Sequence, residues 1–369
     1  MITWRDGEVV SLGARWAGAQ ELTAQTADGV VRALAYPAVV GDVVVGDRVL
    51  LNVTALARGL GTGGYALVVA RPDSLPPDPP SGPGHLVKGR YTPQQAMVLG
   101  VDEQESEHHA LLRDADDLGG MPVVVADLHS ALPAVVAGAR WSAAAAGRPL
   151  PRIAYVMTDG GALPAWFSRT VATLHEAAWL TSCVTVGQAF GGDLEAVTVH
   201  TGLLAARLVV GADLVVVAQG PGNLGTGTRW GFSGVAVGEA LNAAAVLHGR
   251  AVAALRVSGA DARERHRGVS HHSLTAVGRV ALAPSDVVVP VGPAAGARDA
   301  LRDLVREQAA GLCRPTGRHT LVEVPVEAGL EEALAATPVR LSTMGRGLDA
   351  DPEAFIAAAV AGVHAERSR

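Results

Sequence analysis

Short apolar runs recur along the middle of the chain: Ala96 to Val101, Met121 to Ala126, Arg152 to Met157, Cys183 to Val186, Leu214 to Ala218 and Ala251 to Val257. Most are set about 30 residues apart, the length of one strand-helix-strand unit. The segments between them, Ala131 to Ala146, Ala165 to Leu180, Leu194 to Val210 and Ser233 to His248, carry small and apolar residues at helical spacing. Runs of Val, Ile and Ala without alternation suit strands covered on both faces, so the expected fold is α/β, a doubly wound, mostly parallel, Rossmann-like sheet. An eight-stranded barrel is built from the same units. Less regular spacing beyond Val257 favours the open sheet, with strands at Val280 to Leu282, Val287 to Val289 and Thr320 to Val324, and helices at Ala297 to Ala310 and Pro352 to Glu366.

Before these units the pattern is different. Glu8 to Leu12, Glu21 to Thr26, Val30 to Ala35, Arg48 to Val53 and Tyr65 to Ala70 alternate with turn signals, among them Asp28-Gly29. Residues 1–70 are therefore expected to form a small antiparallel β-barrel or sandwich. Residues 71–84 (RPDSLPPDPPSGPG) hold neither a helix nor a central strand and read as a linker, leaving 85–369 as the α/β domain that carries the site. Gly59 to Gly64 joins two β runs with no helix after it, which makes it a hairpin and not a phosphate loop.

Composition narrows the partners. With a formal net charge of −6 and 18% charged residues, no basic surface points to nucleic acid. No basic leader with an apolar segment and no apolar stretch of about 18 residues is present, so a cytoplasmic protein without membrane contact is expected. Cys183 and Cys313 have no CxxC spacing, which suits a reducing compartment and argues against a zinc-cysteine site. Lys88 is the only lysine, and a compact ammonium does work that guanidinium does not.

In a parallel α/β sheet the ligand site lies beyond the carboxyl ends of the strands. After Ala126 come Asp127, His129 and Ser130, and after Met157 come Thr158, Asp159, Gly160 and Gly161. Val186 is followed by Gly187, Gln188, Gly191, Gly192, Asp193 and Glu195; Ala218 by Gln219 and the glycine stretch Gly220 to Gly231 (GPGNLGTGTRWG); Val257 by Ser258, Asp261, Arg263, His266, Arg267, His271 and His272. A ligand site on this edge is expected.

Each group has a plain reading as well. Asp159 suits a turn or helix cap ahead of Pro164, or a general base. Asp193 suits a cap of the following helix, or a substrate ligand. The glycine stretch matches neither the P-loop nor the dinucleotide pattern. It is either a long ordered turn or an anion cradle in which Gly222, Gly225 and Gly227 offer backbone N–H groups and Thr228 and Arg229 donate beside them. His271 and His272 are adjacent and are expected to point apart, so that one of them, with His266, works as acid and base. A metal held with Asp159 or Asp193 is the weaker version, because no standard ligand spacing is present. No cofactor follows from the residues.

Five segments together, KGRYTP from Lys88, TDGGALP from Thr158, GQAFGGDLEAVTVHTGL from Gly187, GPGNLGTGTRWGFSG from Gly220 and RHRGVSHHSLT from Arg265, resemble the bacterial family known as domain of unknown function 3866. The resemblance covers nearly the whole chain. It implies no activity, and it adds support for placing Lys88 in the same site. The expected function is that of an enzyme, a hydrolase or group transferase, acting on a small anionic molecule. Asp159, His266, His271 and His272 would do the proton transfer, and Lys88, Asp193, Arg267 and the glycine-stretch residues would hold the substrate. A non-catalytic metabolite-binding or regulatory protein is the alternative, followed by an assembly protein, and self-association into a homo-oligomer fits either.

Overall fold

The computed structural model describes residues 1–294 and 296–369. Its first strands, β1 (Trp4–Trp16), β2 (Ala19–Thr26), β3 (Gly29–Ala35), β4 (Arg48–Asn52) and β5 (Ala66–Ala70), close into a barrel in the order β1-β2-β3-β5-β4. Single helical turns α1 (Pro37–Val40) and α2 (Thr54–Ala57) flank β4. Alternation places Val9, Leu22, Ala24, Ala33, Val49, Leu51, Ala66 and Val68 inside, as period-2 patterning requires. Neighbours run antiparallel except β3 and β5, which pair in parallel, so the barrel departs from the fully antiparallel expectation at that one seam. Residues 71–84 contain no helix or strand, and Arg71 is tied to Asp47 of the barrel at 2.9 Å.

Next comes a hairpin of β6 (Leu86–Lys88) and β7 (Ala96–Val98), then the turn α3 (His109–Leu112). The run Ala96 to Val101 is thus not a strand of the main sheet, and it meets that sheet only through the Gly100 to Glu195 bridge. It is half exposed, and a strand of a parallel sheet needs cover on both faces.

The main sheet has eight parallel strands in the order β11-β10-β9-β12-β8-β13-β16-β17. They are β8 (Pro122–Ala126), β9 (Ile153–Thr158), β10 (Ser182–Thr185), β11 (Leu194–Glu195), β12 (Leu214–Gln219), β13 (Arg250–Ala254), β16 (Asp286–Val291) and β17 (Thr320–Pro325). Every residue of β8 and β12 is buried. Val123, Val125, Val215 and Val217 face α6 (Val199–Leu208) and α7 (Ala236–Val246). Val124, Ala126, Val216 and Ala218 face α4 (Leu132–Ala145), α5 (Arg169–Glu176), α10 (Leu330–Ala335) and α11 (Pro352–Arg367). The sheet is doubly wound, with α9 (Ala297–Cys313) covering β16 on the α7 side.

The helix after β8 lies on one face and the helix after β12 on the other, so the chain diverges between two neighbouring strands, the place where a crevice opens. Two expected elements differ here. Leu194-Glu195 adds an edge strand ahead of α6 instead of opening the helix. Val280 to Leu282 is not a strand; Val280 closes a π-helical turn, Ala276–Val280, and Leu282 is exposed.

Candidate functional site at the sheet's carboxyl edge

Asp127 follows the last residue of β8 and is only 4% exposed. Its Oδ2 lies 3.3 Å from Arg256 Nη1 and 3.3 Å from His272 Nδ1, while its Oδ1 has no partner among the described residues. Gly234 makes room for it, since a methyl group there would sit 1.7 Å from Oδ1. Gln219, the last residue of β12, donates from Nε2 to the Asp127 carbonyl at 3.0 Å.

The segment after β13 brings the other groups. A small hairpin, β14 (Val257–Ser258) with β15 (Gly268–Val269), carries residues 259–267 in its loop. Ser270 caps α8 (His271–Thr275), accepting the His272 N–H at 3.2 Å, and its hydroxyl also meets His266 Nδ1 at 2.7 Å. Arg256 is held through its backbone, whose N–H donates to Ser273 Oγ at 2.9 Å and whose carbonyl accepts from Ser270 at 2.8 Å.

These constraints draw the three imidazoles together, with ring centroids 4.4 Å (His271 and His272), 4.9 Å (His266 and His271) and 5.1 Å (His266 and His272) apart. The expectation that His271 and His272 point apart is overturned. Consecutive helical residues are rotated by only about 100°, and at the first turn both rings flank His266. Phe232, at the end of the glycine stretch, stacks on His272 at 3.9 Å and 3°. Burial, with Arg256 and Arg263 nearby, lowers the His266 pKa from 6.5 to about 3. Burial and the neighbouring His272 lower that of His271. His271 Nε2 is buried with no partner among the described residues.

Around this centre, Asp261 accepts both ends of the Arg263 guanidinium at 2.9 Å and lies 3.3 Å from Arg346, and those arginines hold its carboxyl far below the usual carboxylate range. The space beside Asp127 is small, about 10 Å³ toward Gln219 and about 30 Å³ toward Arg256, the scale of a water molecule or an ion.

The remaining expected site residues lie elsewhere. Lys88 is buried, its Nζ bound to Glu195 Oε2 (2.8 Å) and to the carbonyls of Thr185, Ala189 and Ala196 (2.8–3.0 Å). A saturated ammonium has no donor left for a substrate. Asp159 is exposed and accepts from Gln188 N at 2.9 Å. It follows β9, two strands or roughly 10 Å from β8, and caps no helix. Asp193 is spent on the Cys183 N–H at 2.8 Å and likewise caps no helix. Arg267 is exposed and borders a groove beside Leu301 and Leu304 of α9.

The glycine stretch is a turn closed on itself. Thr226 N donates to Gly231 O (2.7 Å), Leu224 N to Ser233 Oγ (3.1 Å) and Gly231 N to Thr228 Oγ1 (3.1 Å). Gly222 and Gly227 take φ of 99° and 80°, which only glycine adopts freely, while Gly225 bridges Phe232. The N–H groups engaged within the turn are those of Leu224, Thr226 and Gly231, not those of Gly222, Gly225 and Gly227, and Thr228 and Arg229 are exposed. At the base of the stretch Gly161 packs on the Gly220 carbonyl and Ala162 N donates to Pro221 O, so the loops after β9 and β12 touch.

Asp127, Arg256, Ser270 and Phe232 received no role from the sequence. Their one signal is that Asp127 and Arg256 stand directly after, or at the end of, the apolar runs of two adjacent central strands. A separate cleft of about 600 Å³ lies between the barrel and α5, lined by residues that include Trp16, Trp166, Arg169 and Asp193.

Fold and cluster define a doubly wound α/β protein with a buried carboxylate-histidine-arginine centre at the carboxyl edge of its sheet. Within that class, the chain belongs to the family described as a protein of unknown function (DUF3866), whose model matches residues 32–362. No curated protein and no solved structure matches the chain. Among the described residues no helix is long and apolar enough to cross a membrane.

Proposed function

We propose that this protein is an enzyme, a hydrolase or group transferase, acting on a small anionic molecule over the carboxyl ends of β8, β12 and β13. The observation that carries this reading is the arrangement of Asp127, nearly fully buried yet shared between Arg256 and His272 with His266 and His271 alongside. A fold does not bury a carboxylate, a guanidinium and several imidazoles without a return in structure or chemistry, and such clusters concentrate at functional sites. Asp127 takes the part that the sequence suggested for Asp159. The imidazole cluster activates the attacking oxygen, and Arg256 with the exposed Arg229 and Arg265 attracts the anion. Two buried free thiols, Cys183 and Cys313, suit a cytoplasmic setting.

The test is turnover against a panel of phosphate and carboxylate esters, with His272→Gln and His271→Asn. Loss of about 100-fold or more in kcat with an unchanged far-UV spectrum is expected. Turnover that survives both substitutions overturns the assignment. A second reading, non-catalytic binding of a metabolite, is favoured by the cleft of about 600 Å³ between barrel and α5, where Arg15 and Arg169 offer positive charge. It predicts a ligand whose retention depends on Arg169 and not on His272.

A further inference from the structure

We infer that His266, His271 and His272 form the binding site of a divalent transition-metal ion, of the kind that prefers imidazole nitrogen, with an open coordination position toward the crevice. This deepens the reading above and rests on it for the use of the ion, though not for its binding. One ligating nitrogen from each ring lies within 4.8 Å of the others. In a tetrahedral zinc site with bonds of about 2.0–2.1 Å, the nitrogens sit about 3.3 Å apart, which small rotations of the rings supply.

The other ring nitrogens already have partners of the right kind. His266 Nδ1 is held by Ser270 Oγ at 2.7 Å and His272 Nδ1 faces Asp127 Oδ2 at 3.3 Å. That leaves Nε2 as the ligand atom of both, while His271 contributes a buried Nε2 with no partner among the described residues. A histidine whose second nitrogen is hydrogen-bonded to a carboxylate or hydroxyl is the usual support of a metal ligand. The carboxylate of Asp127 also supplies the negative charge that an ion needs beside Arg256.

His272 Nδ1 is 3.2 Å from Arg256 Nη1 as well as 3.3 Å from Asp127. It serves as acceptor for the first or donor to the second, and not both at once. A metal on Nε2 fixes the proton on Nδ1, directs it to Asp127, and leaves Arg256 to the carboxylate alone. The open position of such a site takes a water molecule. Three nitrogen ligands and an open position would lower the pKa of that water and generate the attacking oxygen.

The test uses the full-length protein stripped with chelator and titrated with Co²⁺, read by its visible ligand-field absorption and by equilibrium dialysis. A stoichiometric, saturable absorption is expected, reduced at least tenfold in affinity by His271→Ala, with His200→Ala on the exposed face of α6 as the control that leaves it intact. Asp127→Asn is expected to weaken Co²⁺ about 10–100-fold. Should His271→Ala fail to fold, as judged by circular dichroism, the protection of His271 by Co²⁺ against diethyl pyrocarbonate in the unsubstituted protein decides in its place. Absence of the absorption, binding equal in His271→Ala and His200→Ala, or no protection of His271 overturns the inference. Co²⁺ binding without turnover of any ester sinks the enzymatic reading alone, and full turnover in the stripped protein sinks the ion's part in turnover and not its binding.

Discussion

Asp127 and Arg256 are an ion pair with side chains 3% and 10% exposed, and the consequence of removing one partner differs from that of removing both. Asp127→Leu strands a buried guanidinium and should cost about 3–5 kcal/mol in urea denaturation, whereas the double change Asp127→Leu, Arg256→Met should recover much of it. A double variant no more stable than the single one would mean that Arg256 finds another partner. Lys88 is the residue at which sequence and structure part most clearly. Rarity drew attention to it, but its ammonium is used to fasten the hairpin of β6 to the ends of β10 and β11. Lys88→Met should therefore destabilise the fold by about 3–5 kcal/mol and leave the KM of any substrate unchanged; a raised KM with normal stability would restore it to the site.

His129, next to the same strand end, gives a dependence on pH. Burial lowers its pKa from 6.5 to about 4, while its ring nitrogens meet Tyr155 Oη at 3.0 Å and Ser168 Oγ at 2.7 Å. The unfolded chain takes up the proton more readily than the fold. Stability present above pH 6.5 is consequently lost as pH falls toward 4. Tm followed across that interval should fall less steeply in His129→Gln, with the remaining slope left to His266, His271 and His319, whose pKa values burial also lowers. An unchanged slope would show that His129 is already protonated in the folded protein.

At the scale of elements, α4 and α11 cross closely on one face of the sheet at β8. Gly138 meets the Ala359 carbonyl and Gly362 meets that of Val135, each so closely that an added methyl carbon would lie 2.0 Å from the oxygen. Gly138→Ala should lower stability by about 1–3 kcal/mol through forced separation of the two helices, read as a fall in Tm; an unchanged Tm would mean that the crossing gives way freely. Alternation and run length marked β1 to β5, β8 to β10, β12, β13 and most helices, because those patterns are local and repeat with a known period. The mistaken elements, Ala96 to Val101 and Val280 to Leu282, are apolar runs that lack cover on both sides, and a single sequence does not state what lies above and below a strand. The histidine cluster was visible as a dense titratable segment. Its geometry was not, because it depends on the Ser270 cap and on Phe232 arriving from another loop.

Across the whole molecule the same limit governs how the barrel sits on the α/β sheet. Alternation within residues 1–70 and the recurring runs after residue 120 announce the two architectures, but nothing in either pattern joins Trp16 to a residue 150 positions away. Trp16 Nε1 donates to the Trp166 carbonyl at 2.7 Å. The Trp166 ring lies 6.0 Å from Tyr36 of the barrel side and 5.6 Å, edge on, from Phe190 of the α/β side, and it packs against the small cluster of Ala19, Leu34 and Tyr36. Gly18 lets the ring in: its φ is 79° and a methyl carbon there would fall 2.1 Å from the indole. One side chain thus bridges both bodies and forms a wall of the larger cleft. Trp166→Ala should cost about 3 kcal/mol, and the loss should fall on the docking of the barrel and not on the sheet. Limited proteolysis within residues 71–84 should accelerate and the barrel strands should exchange their amide hydrogens faster, while Co²⁺ absorption at the histidines stays as it was. Proteolysis and exchange unchanged from the parent would assign the docking to the remaining contacts, among them Gln94 Nε2 with the Val69 carbonyl at 2.9 Å.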